Sequence, residues 1–162
     1  MVPMRLAGLL EVLDQGEIPA DHQGIQITGI STDSRRVEPG QLFVAVPGPV
    51  THGRQFIPAA VERGARVVAF ARDEGRDGAP GDVLFLPVDD IRGFLPRLLA
   101  RFYGDPGRRL RIFGVTGTNG KTTITYLLES IFRQAGQLCG VVGTVSHRIG
   151  DEHLPAQNTT PG

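Results

Sequence analysis

The sequence predicts an α/β protein in two parts, a small N-terminal α/β unit followed by the first βαβ unit of a phosphate-loop domain. Three observations lead there. Short apolar runs alternate with amphipathic helical stretches from about residue 25 to residue 102. A Gly and Pro cluster, Gly104-Asp-Pro-Gly107, then interrupts the pattern and places a domain boundary, giving parts 1–107 and 108–162. Directly after it, an apolar run from Arg111 enters Thr116-Gly-Thr-Asn-Gly-Lys-Thr-Thr123, a glycine-rich turn that opens a new helical pattern.

Leu6, Leu9, Leu10 and Leu13 recur at helical spacing, and Gly16 with Pro19 closes that helix. Ile25 to Ile30 alternates as a strand. Pro39-Gly40 turns the chain into a second strand, Leu42 to Val46, and Pro47 to Gly53 reads as a loop. Phe56, Ile57, Ala60 and Val61 form the inner face of a helix that Gly64 ends, ahead of the strand Ala65 to Phe70. After the charged, Gly-rich loop Arg72 to Asp82 comes the strand Val83 to Val88. Asp89 or Asp90 caps the next helix, which carries Ile91, Phe94, Leu95, Leu98, Leu99 and Phe102 on one side. In the second part, a strand from Arg111, a helix bearing Ile124, Leu127, Leu128, Ile131 and Phe132 up to Gly136, and the parallel strand Leu138 to Val145 make one βαβ unit. Gly150 to Gly162 reads as loop. One helix cannot cover both faces of a parallel sheet, so the second domain reads as only begun and the chain as the front of a longer protein.

Seventeen basic and seventeen acidic side chains cancel, which leaves no global field to draw in nucleic acid or an anionic membrane. Any phosphate affinity must be local. The single cysteine, Cys139, lies in an apolar run and reads as a buried structural thiol. His22, His52, His147 and His153 show no metal-ligand spacing, and no apolar stretch approaches the ~20 residues of a membrane-spanning helix. The expected setting is cytoplasmic, without membrane insertion.

In a loop of the Thr116–Thr123 type, glycines let backbone N–H groups point at phosphate oxygens, and the following helix offers its positive end to the same anion. Lys121 would reach the terminal phosphates and Thr122 would ligate Mg²⁺. The loop is a variant, since Val115 stands where the generic pattern has Gly and the glycine is one place earlier, at Gly114. Thr32-Asp33-Ser34-Arg35 offers hydroxyls and an Arg fork to a uracil edge or a diphosphate, and reads equally well as an Asp/Ser turn. Asn158-Thr159-Thr160 is either a ligand-binding loop after a strand or a polar tail.

Together, Thr32-Asp-Ser-Arg-Arg-Val-Glu-Pro-Gly-Gln-Leu-Phe-Val-Ala-Val46, Thr116 to Thr123 and Asn158-Thr-Thr-Pro161 resemble the Mur ligases of peptidoglycan synthesis, with the motifs in the family's order. Gly143-Thr144-Val145 followed by Asn158-Thr-Thr points to the branch that adds diaminopimelate or L-lysine to UDP-MurNAc-L-Ala-D-Glu. A MurF-type ligase shares the Asp-Ser-Arg and loop motifs and stays open.

The resemblance implies that Thr32, Ser34, Pro49, Val50 and Thr51 contact the UDP part. It implies that Gly117, Thr118, Asn119, Gly120, Lys121, Thr122 and Thr123 hold ATP, with Lys121 catalytic and Thr122 on Mg²⁺. Asn158, Thr159 and Thr160 would hold the UDP-MurNAc-peptide. His52 departs from the acidic residue many relatives carry before the Gly. The implied reaction phosphorylates the D-glutamate side-chain carboxylate to an acyl phosphate, which the incoming amine attacks. The family's carboxylated lysine, further Mg²⁺ ligands and C-terminal domain would lie beyond residue 162, and the full-length enzyme would be a monomer acting on small molecules. A noncatalytic UDP-sugar or nucleotide-binding module and an unrelated phosphate-loop ATPase or kinase are the competing readings.

Overall fold

The computed structural model describes residues 3–11, 19–48, 52–74 and 82–155. The chain divides into two compact units, Met1–Leu110 and Arg111–Gly162.

In the first unit, β1 (Met4–Arg5) pairs antiparallel with β2 (Gln26–Ile27), and α1 (Leu6–Leu10) follows β1 directly. The main sheet has four parallel strands, β3 (Ile30–Ser31), β4 (Leu42–Ala45), β5 (Val67–Ala71) and β6 (Leu84–Val88), in sequence order. The strand expected over Ile25 to Ile30 is divided, because Thr28 N donates to Gly40 O and Leu42 N donates to Gly29 O. The chain thus changes partner at Thr28-Gly29, from β1 to β4. Leu13 and Gly16 lie outside the described residues.

A parallel sheet is covered on both faces, and β4 and β5 are buried along their whole length. Alternation then sorts their side chains into two cores. Leu42, Val44, Val67, Ala69, Ala71 and Val88 join α1 and the leading residues of α3 (Ile91–Phe102), namely Ile91, Phe94 and Leu98. Phe43, Ala45, Val68 and Phe70 join Ala60 of α2 (Ile57–Glu62) and Val37 on the other side. Pro87 sits in β6, an edge strand, where a missing backbone N–H is tolerated.

Of the two expected caps for α3, Asp90 is the one used: its Oδ1 accepts from Gly93 N at 2.9 Å. Asp89 instead takes the Arg72 guanidinium at 2.5 Å. The break after α3 is built by Gly104 and Asp105, both left-handed at φ 76° and 52°. Gly53, at the start of a 3₁₀ turn ahead of α2, has no room for a side chain, since a Cβ there would stand 2.6 Å from the carbonyl carbon of Ala45.

The second unit keeps the helix expected after the Thr116–Thr123 turn, α4 (Lys121–Gln134), but its sheet differs from the expected βαβ unit. β7 (Gly140–Val142), β8 (Ser146–Ile149) and β9 (Glu152–Pro155) form an antiparallel meander in sequence order. Leu138 to Val145 therefore contributes no parallel strand, and the stretch from Gly150 is not all loop. Residues 111–120 hold no strand, although Phe113 reaches the Phe132 ring, with centroids 5.3 Å apart. An extended apolar segment becomes a strand only when a neighbour takes its backbone hydrogen bonds, and no described segment pairs with this one. The helical stripe is also displaced. Ile124, Leu127 and Ile131 are exposed, while the buried residue of α4 is Glu129. Cys139 is half-buried rather than buried, with its thiol 3.9 Å from Glu129 O.

These placements separate two leucines at similar helical spacing. Leu98→Ala, at a fully buried site, should lower the unfolding free energy by about 2–5 kcal/mol in a urea titration followed by circular dichroism. Leu127→Ala should stay within about 0.5 kcal/mol of the parent. Equal losses at both would place the α4 stripe in a core it does not occupy here.

Candidate functional site

Gly117 and Gly120 take left-handed φ values of 148° and 76°, and Gly120 is the residue from which α4 starts. A residue with a Cβ resists that conformation, so these glycines are what lets the chain reverse into the helix. Gly120 has no side chain with which to cap, and no acidic residue lies in the first turn. The leading N–H groups of α4 thus have neither a side-chain cap nor a carboxylate beside them, the state in which a helix start can accept an anion. Lys121 Nζ donates to Gly117 O at 2.5 Å and to Thr118 O at 3.3 Å, which folds the ammonium back over the loop. Thr118, Asn119, Thr122 and Thr123 are exposed around it. Thr125 Oγ1 donates to Thr122 O at 2.8 Å, so Thr125 hydrogen-bonds back into the first turn.

A divalent cation accompanying a nucleotide would find a hard oxygen donor in the Thr122 hydroxyl, which suits Mg²⁺ with phosphate oxygens and water completing its shell. Among the described residues no group of three His, Cys, Asp or Glu could hold a metal by itself.

In the first unit the second predicted cluster lies at the C-terminal end of β3, the end at which open parallel sheets bind ligands. Asp33 Oδ1 accepts from Arg35 N at 3.0 Å, and the Arg35 guanidinium donates to both carboxylate oxygens of Asp33, at 2.9 and 2.8 Å. Ser31 Oγ donates to Asp33 O at 3.0 Å. This is the Asp/Ser turn, with the Arg fork engaged by its own neighbour. The guanidinium hydrogen bonds, followed by that of the Arg35 backbone N–H, hold the Asp33 carboxyl at a pKa of about 2. Thr32 is exposed, whereas Ser34 is buried in the 3₁₀ turn. Gly53 packs against the end of β4, and Arg92 of α3 donates to Pro47 O at 3.2 Å, so segments following β4 and β6 meet at the edge of the sheet where β3 also ends. Pro49, Val50 and Thr51 lie outside the described residues, as do Asn158, Thr159 and Thr160.

A cluster that the sequence did not announce joins α4 to the meander. The Arg148 guanidinium, on the central strand β8, pairs with Glu129 and stands 4.1 Å from the Tyr126 ring centroid. Arg133 pairs with Asp151 nearby. An open depression of about 500 Å³ is lined by Tyr126, Glu129, Ser130, Arg133, Gln134 and Arg148. It flanks the middle and end of α4, not the phosphate loop. No sequence signal pointed to the pair, since Arg148 sits on a strand, Ser146–Ile149, in a stretch to which no element was assigned. Among the described residues, no helix is long and apolar enough to cross a membrane.

Residues 26–103 match the description "Mur ligase family, catalytic domain", and residues 115–162 match "Mur ligase middle domain". The chain belongs to the Mur ligase family. It is 42% identical over 158 residues to the UDP-N-acetylmuramoyl-L-alanyl-D-glutamate–2,6-diaminopimelate ligase of Geobacter metallireducens, covering 98% of this chain and 30% of that protein. The protein of the same name from Streptomyces coelicolor is 42% identical over 161 residues, with 98% and 32% covered. A solved structure of a ligase of this name superposes with a TM-score of 0.71 at 31% identity, over 94% of this chain and 30% of the other. A MurF structure from Acinetobacter baumannii gives 0.60 at 25% identity, over 90% of this chain and 29% of the other. The chain therefore spans about 30% of the length of these relatives.

The Asp33–Arg35 turn has a pH signature. The folded pKa of Asp33, about 2, lies below the ordinary 3.8, so its contribution is complete above about pH 4 and is lost as pH falls through about 2. Arg35→Gln should move the carboxyl midpoint back towards 3.8, read by carboxyl-carbon NMR. A midpoint that stays near 2 would show that the guanidinium is not its cause.

Proposed function

We propose that this chain is the UDP-recognising and phosphate-loop portion of an ATP-dependent ligase of peptidoglycan precursor synthesis. The ligase would add diaminopimelate, or L-lysine, to UDP-MurNAc-L-Ala-D-Glu in the cytoplasm as a monomer. The observation that carries this reading is the loop from Gly117 to Thr123, where left-handed glycines, an uncapped helix start and Lys121 lie together in one short stretch. Among solved structures, 31% identity and a TM-score of 0.71 to the diaminopimelate ligase, against 25% and 0.60 to the MurF structure, support this branch over a MurF-type enzyme.

In this reading, residues 1–107 hold the UDP part through Thr32, Ser34, Pro49, Val50 and Thr51. Residues 108–162 hold ATP through Gly117, Thr118, Asn119, Gly120, Lys121, Thr122 and Thr123. Asn158, Thr159 and Thr160 take the UDP-MurNAc-peptide. Lys121 would exchange the carbonyls of Gly117 and Thr118 for the terminal phosphate oxygens and neutralise the charge on the phosphoryl group as it passes to the D-glutamate carboxylate. The first-turn N–H groups of α4 would hold the remaining phosphates in place. Mg²⁺, held in part by Thr122, would supply further charge neutralisation at the same oxygens.

Calorimetric titration of the chain with Mg·ATP and, separately, with UDP-MurNAc-dipeptide tests the assignment. Lys121→Ala should weaken ATP binding about 10- to 100-fold, the worth of a lost charge-assisted hydrogen bond, and leave the UDP ligand unaffected. Ser34→Ala should do the reverse. ATP affinity indifferent to Lys121 would overturn the loop's role, and UDP-ligand affinity indifferent to Ser34 would overturn that of the first unit.

A further inference from the structure

The side of α4 that meets the meander is polar. Tyr126, Glu129 and Arg133 recur at helical spacing and all make their partners there, whereas Ile124, Leu127 and Ile131 on the same helix are exposed. Of these contacts, the Arg133–Asp151 pair is exposed, with side chains 51% and 92% accessible, and such pairs hold little. The Glu129–Arg148 pair is different, at 8% and 16%. Its guanidinium also lies over the Tyr126 ring, and its Nε has no hydrogen-bond partner among the described residues. The buried, directional link between α4 and β8 is therefore this one charged, stacked contact.

Glu129 lies eight residues along the same helix from Lys121, a separation of about 12 Å. A tilt of about 10° pivoting at Glu129 would carry Lys121 by about 2 Å. Displacements of about an ångström already matter to phosphoryl groups that must be held in line.

We propose that Glu129 and Arg148, with Tyr126 beneath the guanidinium, are positioning residues for the phosphate loop, fixing the helix from which Lys121 and the first-turn N–H groups address a nucleotide. The inference rests on the reading of the loop as a nucleotide site. It separates position from stability, because exchanging a buried ion pair for apolar side chains of similar volume is often neutral or stabilising, while the directional restraint of the pair is lost.

The test uses the 162-residue chain as Glu129→Met/Arg148→Met, a double variant that leaves no unpaired charge, beside Lys121→Ala and the parent. Circular dichroism melting and Mg·ATP titration well below the melting temperature are read together. The expected result is a melting temperature equal to or above that of the parent with ATP affinity at least tenfold weaker. Glu129→Gln, which keeps an acceptor oxygen in place, carries the same reading if the double variant does not fold, with an expected loss of at least threefold. Parental ATP affinity in the folded variant, with binding still dependent on Lys121, overturns the positioning role alone. Absence of Lys121-dependent binding in the parent overturns the nucleotide reading and this inference with it.

Discussion

The first unit depends on a single constraint, that a parallel sheet has no face it can leave to water. β4 and β5 meet it with uninterrupted apolar runs, and because neighbouring side chains point to opposite faces, each run feeds two cores at once. α1 and α3 must then lie on one face and α2 on the other. Parallel strands also place all their C-terminal ends along one edge, so the segments after β3, β4 and β6 start from that edge, and the Arg92–Pro47 hydrogen bond ties two of them together there. Ser34, Pro47, Gly53 and Arg92 owe their common location to that arrangement.

The second unit obeys no comparable constraint, and this is why less of it was legible. In the first unit, periodicity and punctuation agreed: Leu42 to Ala45 and Val67 to Ala71 are strands, and the Ile91 to Phe102 stripe faces the core. In the second, the apolar run from Arg111 read as a strand has no partner among the described residues, since pairing is a property of two segments and only one can be read locally. The α4 stripe announced a helix correctly but not its buried side. Glu129 is the residue that burial selects, because Arg148 offers a charge partner and Tyr126 a ring. The β8 and β9 strands were missed because Ser146-His147-Arg148-Ile149 and Glu152-His153-Leu154-Pro155 lack the apolar alternation by which strands are recognised.

The turn from Thr116 to Thr123 was the most legible stretch of the candidate site in its conformation, since a glycine-rich turn running straight into a helix depends on residue types read locally. Left-handed glycines, a lysine and a helix start are local features and are realised locally. The Asp33–Arg35 turn was legible only as an alternative. Whether an Arg fork closes on its neighbour or stays open is decided by backbone angles, and here the extended Asp33 lets both carboxylate oxygens meet it. Arg35 then serves the shape of the turn that buries Ser34.

Gly53 carries a consequence for how this protein can drift in sequence. A Cβ would stand 2.6 Å from the backbone of β4, and strand backbone is the least yielding neighbour a new side chain could have. The position is therefore closed to every replacement, whatever its polarity, while His52 beside it is exposed and open to many. An anchor made by backbone packing at Gly53 does not depend on which side chain stands at the exposed position beside it. Variation among descendants of this chain should thus gather on the N-terminal side of Gly53, changing what the loop touches and leaving its point of return to the fold untouched.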